Sequence, residues 1–118
     1  VLLPVSAPFH CRLMQPAADE MHQALCDSDL RAPLVPVYVN VDAVPVSDPG
    51  AIRHLLVQQV TGMVRWRESV LTMRADGVER FVELGGKVLG PMVGRIVPEA
   101  DTVSLSAMAE LESFAGTL

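Results

Sequence analysis

Val35-Pro36-Val37-Tyr38-Val39-Asn40-Val41 is an apolar, β-branched run. It reads as a strand buried on both faces, with Asn40 near its C-terminal end. The segments on either side carry helical spacing. Before it, Leu13, Met14, Ala17, Ala18, Met21 and Leu25 mark one buried face of a helix from Cys11 to about Cys26. Pro16 falls in that helix's first turn, where proline is tolerated. After the strand, Val44 to Pro49 reads as a loop whose Asp48-Pro49 gives a helix cap and first turn. Ile52, Leu55, Leu56 and Gln59 then share one helical stripe.

The pattern continues outward. Arg65 to Arg74 reads as a short helix ended by Asp76-Gly77. Arg80 to Leu84 is a strand, Gly85-Gly86 a tight turn, and Lys87 to Val97 a helix that Pro91 kinks unless it lies in the first turns. Thr102 to Leu105 is a last strand, and Ser106 is placed to cap a helix over Ala107 to Ala115. Val1 to Val5 reads as a first strand, with Pro4 near its end or on a sheet edge. Strands alternating with helices predict an α/β fold with a mainly parallel sheet.

The 118 residues predict one domain at most. Half are hydrophobic but only 4% aromatic, so aliphatic side chains must fill the core. A net charge of -5 and no basic patch argue against nucleic acid and anionic membranes as partners. No apolar stretch is long enough to span a bilayer, and two cysteines in a core-rich chain suit a reducing compartment. A cytoplasmic protein is expected. The chain opens on Val1 inside an apolar run, which reads as part of a longer chain.

Several residue groups are candidates for chemistry. His10 follows Val5-Ser6-Ala7-Pro8-Phe9, at a strand end just before a helix. That is a common place for a general base, and also for a loop histidine with no chemistry. His22 and Cys26 lie four apart on one helix face, but with His10 and Cys11 they match no usual zinc spacing. The cysteines read equally as small core residues, and no metal site is expected. Gly85-Gly86-Lys87 lacks the Walker spacing, although amides at that helix start are free to face an anion. No Gly-x-Ser-x-Gly elbow occurs, so a catalytic His10 needs a nucleophile from elsewhere. Gln59, at a helix end, reads as a solvated or capping side chain.

Four ordered motifs carry a family resemblance. They are Ala7-Pro8-Phe9-His10 with Leu13-Met14 and Pro16-Ala17-Ala18, then Pro36-Val37-Tyr38-Val39-Asn40-Val41-Asp42. Next come Gln59-Val60-Thr61-Gly62-Met63-Val64-Arg65-Trp66, and Glu83-Leu84-Gly85-Gly86-Lys87-Val88-Leu89. Together they resemble the C-terminal part of the malonyl-CoA:acyl carrier protein transacylases. The glycine turn is one residue shorter than the family's usual Gly-x-Gly.

The resemblance implies the C-terminal part of an α/β-hydrolase-like acyltransferase domain. Residues 1–6 would be the last strand of a ferredoxin-like small subdomain, and residues 7–118 part of the large one. It implies ping-pong malonyl transfer in fatty acid biosynthesis from malonyl-CoA to the thiol of acyl carrier protein, with no cofactor. The serine nucleophile, the arginine for the malonyl carboxylate and the oxyanion side chain would lie upstream. His10 would be the catalytic base, oriented by the main-chain carbonyl of Gln59. Phe9 is either ordinary core or the aromatic that crowds a branched α-carbon. Arg12, Arg53 and Arg65 are candidate contacts for an acidic carrier. A polyketide-type acyltransferase and a non-catalytic interaction module are the alternatives.

Overall fold

The computed structural model describes residues 8–117 of the chain, so the expected strand at Val1 to Val5 lies outside the described residues. The chain divides into two compact units, Val1–Ser69 and Val70–Leu118.

In the first unit a 3-10 turn, Arg12–Met14, leads into helix α1, Gln15–Cys26, with Pro16 in its first turn as expected. Helix α2, Pro49–Thr61, packs against α1. Its start is fixed by Asp48, whose carboxylate accepts the Ala51 N–H at 2.7 Å. A cap of this kind is worth about 1 kcal/mol. Arg53 on α2 donates from Nε to the Leu25 carbonyl at 2.9 Å, tying α2 to the free end of α1.

The segment from Val35 to Val46 corrects the sequence reading. Strand β1 covers only Val37–Val39 and pairs antiparallel with β2, Val44–Val46, in the register Val37↔Val46 to Val39↔Val44. The stretch read as a loop is therefore half of a hairpin. The turn explains the difference. The Ala43 N–H donates to the Val39 carbonyl at 2.9 Å, with Ala43 at φ 56. Asn40 and Asp42 supply the polar residues that such turns favour. Only Val39 of β1 is buried; Val35 is 71% exposed, so the run is not enclosed on both faces. Pro45 is tolerated because a two-stranded ladder has only edge strands. Ala18, Val39, Ala43 and Ile52 form the buried apolar centre of this unit.

Helix α3, Trp66–Ala75, ends at Gly77, whose φ of 93 lets its N–H reach the Arg74 carbonyl at 3.1 Å. In the second unit β3, Arg80–Leu84, runs parallel to β4, Asp101–Leu105, with Arg80 opposite Asp101 and Leu84 opposite Leu105. Helix α4, Leu89–Ile96, forms the crossover, and Pro91 sits in its first turn. This β–α–β unit is the parallel element that the alternating pattern predicted. Val70, Val93, Val97 and Leu105 are the buried apolar residues of this second compact unit.

Helix α5, Met108–Ala115, is not capped by Ser106 as expected. Instead Glu110 reaches back. Its carboxylate accepts the Ser106 N–H at 2.7 Å and the Ala107 N–H at 3.1 Å. A carboxylate satisfies the free amides of a helix start better than a hydroxyl, because it also complements the helix dipole. No described helix is long and apolar enough to cross a membrane.

Candidate active site

His10 sits in a turn at φ 56, a left-handed conformation that few residues other than glycine adopt. Its ring Nδ1 lies 3.1 Å from the main-chain oxygen of Gln59, in the last turn of α2. That location supplies the acceptor. The final carbonyls of a helix have no partner within the helix. The Gln58 carbonyl takes the Gly62 N–H at 2.8 Å, and the Gln59 carbonyl faces His10.

A proton on Nδ1 that donates to this carbonyl leaves the Nε2 lone pair free to accept a proton. A carbonyl in this place is able to orient the ring as a carboxylate does elsewhere, without adding a negative charge.

The Gln59 side chain departs from the sequence reading. It is neither solvated nor a cap. Its Nε2 lies 3.2 Å from His10 Nδ1, and its Oε1 accepts from Asn40 Nδ2 at 2.6 Å. Asn40 is held in turn by the loop after α2. Its Nδ2 lies 3.1 Å from the Met63 carbonyl, and its Oδ1 accepts the Arg65 N–H at 2.8 Å. Sequence reasoning gave Asn40 no role. The available signal was an amide closing an apolar strand, where a side chain must find partners once buried. Asn40 and Gln59 also line a cleft of about 240 Å³ with Val37, Tyr38, Val39, Leu55 and Leu56.

Phe9, next to His10, is 56% exposed, so it is not core of the described residues. Cys11 is half-buried, with Sγ 3.1 Å from the Pro8 carbonyl, and Cys26 is exposed, so neither is the enclosed small residue expected. Cys26 Sγ lies 3.7 Å from His22 Nε2 on one face of α1. Among the described residues no group of three or more His, Cys, Asp or Glu is arranged to hold a metal ion. Arg53 is engaged with Leu25, and Arg12 is exposed.

The helix start after Gly85-Gly86 does meet an anion, but an internal one. Glu83 accepts the N–H groups of Val88 at 2.9 Å and Gly90 at 2.8 Å, and the Ser104 hydroxyl at 2.9 Å. The Gly90 N–H foremost, with Leu89, Val88 and Ser104, holds its carboxyl at about 2 against some desolvation. Lys87 Nζ lies 3.2 Å from Glu110. The amides expected to be free for a ligand are thus occupied.

No family model matches the chain. Individual relatives do. The malonyl CoA-acyl carrier protein transacylase of Escherichia coli (strain K12) is 45% identical over 117 residues, which is 98% of this chain and 37% of that protein. The crystal structure of acyl-carrier-protein-S-malonyltransferase from Bartonella henselae superposes with a TM-score of 0.90 at 47% identity, over 99% of this chain and 38% of that one. A malonyl-transacylase solved in complex with a type II polyketide-synthase acyl-carrier protein superposes at 0.86 and 37% identity, over 98% and 38%. The chain spans little more than a third of the length of these relatives, matching their C-terminal part. By sequence and by fold, this chain belongs with the malonyl-CoA:acyl carrier protein transacylases, as a counterpart of their C-terminal part.

Proposed function

We propose that the chain is the histidine-bearing part of an enzyme that moves malonyl from malonyl-CoA to the phosphopantetheine thiol of acyl carrier protein. The observation that carries this reading is the contact of His10 Nδ1 with the Gln59 carbonyl, which leaves Nε2 as a base. A serine in the upstream part of the protein attacks the thioester carbonyl. Its proton passes to His10 Nε2, the carbon–sulfur bond breaks, and the same proton passes to the departing coenzyme A thiolate. The malonyl-serine is then attacked by the carrier's thiol, whose proton takes the reverse path through His10 to the serine oxygen.

Each half-reaction conserves protons, so no external acid or oxidant is required. Phe9 is assigned to the wall beside the malonyl α-carbon, which its exposure next to His10 allows. The two free cysteines fit a reducing, cytoplasmic setting. The test is malonyl transfer by the full-length protein and by its His10→Ala variant. The variant should lose transfer while keeping the fold, and an active variant would remove His10 from the mechanism.

A further inference from the structure

We propose that Asn40 is a positioning residue for His10 and acts by fixing the polarity of the Gln59 amide. The inference rests on His10 being the general base. It starts from two main-chain groups whose hydrogen-bonding character is not negotiable. The Met63 carbonyl only accepts, and the Arg65 N–H only donates. Both touch the Asn40 amide, the first at its Nδ2 and the second at its Oδ1. The orientation of Asn40 is therefore set by the backbone. Its Nδ2 must then donate to Gln59, so the Gln59 atom facing it must be Oε1. Only one arrangement of the Gln59 amide remains, and it points the NH2 group at His10 Nδ1 from 3.2 Å.

Nδ1 thus has two partners of opposite character, the Gln59 carbonyl and the Gln59 amide nitrogen. A proton on Nδ1 suits the carbonyl but meets the amide donor to donor. A bare Nδ1 accepts from the amide and leaves the proton on Nε2. The two neutral tautomers each find one good hydrogen bond. The doubly protonated ring, which must carry the Nδ1 proton, always faces the amide hydrogens. Asn40 thereby keeps the Gln59 amide from accepting the Nδ1 proton and leaves the main-chain carbonyl as the acceptor that orients the ring. It also lets the tautomers that accept and donate at Nε2 use one residue as partner.

Without Asn40, the Gln59 amide is free to turn and offer Oε1 to the Nδ1 proton, which would stabilise the charged ring. The titratable and charged groups on the elements that carry or pack against the site are Cys11 and Arg12 in the His10 segment, Asp19, Glu20, His22 and Cys26 on α1, Arg53 and His54 on α2, Asp42 in the hairpin turn, and Arg65 paired with Glu68. All of them are common to the wild type and Asn40→Ala, so a difference between those two reports on the amide relay.

The experiment uses the full-length protein, with kcat/KM for malonyl transfer followed against pH and the imidazole 15N shifts of His10 followed by NMR. In Asn40→Ala the acid limb should move up by about 0.5–1 pH unit, the equivalent of one hydrogen bond gained by the charged ring. In Gln59→Glu, which retains an acceptor for Asn40 but replaces the opposing donor with a carboxylate, it should move up by about one unit or more. Adding Asn40→Ala to Gln59→Glu should then move it no further, and the 15N titration should follow the same order.

A merely structural Asn40 would lower the melting temperature but leave the limb and the 15N titration in place, and that result overturns the proposal. If Asn40→Ala does not fold, an unmoved limb in Gln59→Glu overturns it equally. Should His10→Ala prove active, the catalytic reading falls, while the 15N titration still decides whether Asn40 governs the ring.

Discussion

His10 Nδ1 and the main-chain oxygen of Gln59 lie 3.1 Å apart across 49 residues of sequence. The contact joins a strained turn to a helix end. His10 is held at φ 56, and the helix end supplies a carbonyl that nothing within the helix occupies. A main-chain acceptor cannot be removed by substitution of its own side chain. What can be altered is the histidine, its neighbour Phe9, and the residues that hold the surrounding elements.

Phe9 is the residue proposed to set substrate choice. A ring beside the reacting carbonyl leaves little space for a methyl branch on the α-carbon. Phe9→Ala in the full-length protein should narrow the preference for malonyl-CoA over methylmalonyl-CoA by roughly 10- to 100-fold, the scale of one methyl group in a pocket. Competition between the two thioesters measures this ratio. An unchanged ratio would return Phe9 to a packing role.

Glu83 and Glu110 make stability depend on pH. Both carboxyls are lowered from 4.5 to about 2. For Glu83 the Gly90 N–H is the main cause, and for Glu110 the Ser106 N–H, with Lys87 adding to it. The sign follows from linkage. A group whose folded value is depressed contributes stability that is present above 4.5 and is lost as pH falls toward 2. Denaturant midpoints should therefore drop over that window. Glu83→Gln should have a lower midpoint at pH 7 and a shallower drop on acidification. Parallel pH curves for the two proteins would contradict this.

Gly90 tests the same junction sterically. It is buried, and a Cβ there would stand 2.5 Å from the Ser104 hydroxyl oxygen and 3.5 Å from a Glu83 oxygen. Gly90→Ala must displace the hydroxyl that helps hold Glu83. A loss of about 1–3 kcal/mol is expected, typical of an overpacked site. Removing the clash with Ser104→Gly in the Gly90→Ala background should recover part of it, as read from urea midpoints.

The parts legible in sequence were those written in local patterns. The β–α–β unit from Arg80 to Leu105, the cap at Asp48 and the stop at Gly77 all depend on neighbours a few residues apart. The contact of His10 with the Gln59 carbonyl was expected from the family resemblance and from no local pattern. The hairpin was not, because a three-residue strand with a polar turn looks like one longer apolar run when Val35 and Val37 are counted together. The Asn40 relay was also illegible. Its partners Gln59, Met63 and Arg65 are brought to it by the hairpin and the end of α2, and no periodicity encodes that meeting. Glu83 was hidden similarly, since a strand carboxylate reaching the next helix start leaves no spacing signature.

The central claim is that His10 is the base that loads malonyl onto a serine of the full-length protein. The direct measurement is intact-protein mass at short times after mixing with malonyl-CoA, for wild type and His10→Ala. The account predicts a rapid gain of one malonyl group in the wild type and a gain slower by about 10²–10⁴-fold in the variant. Equal loading rates, or no adduct on the wild type, would contradict it.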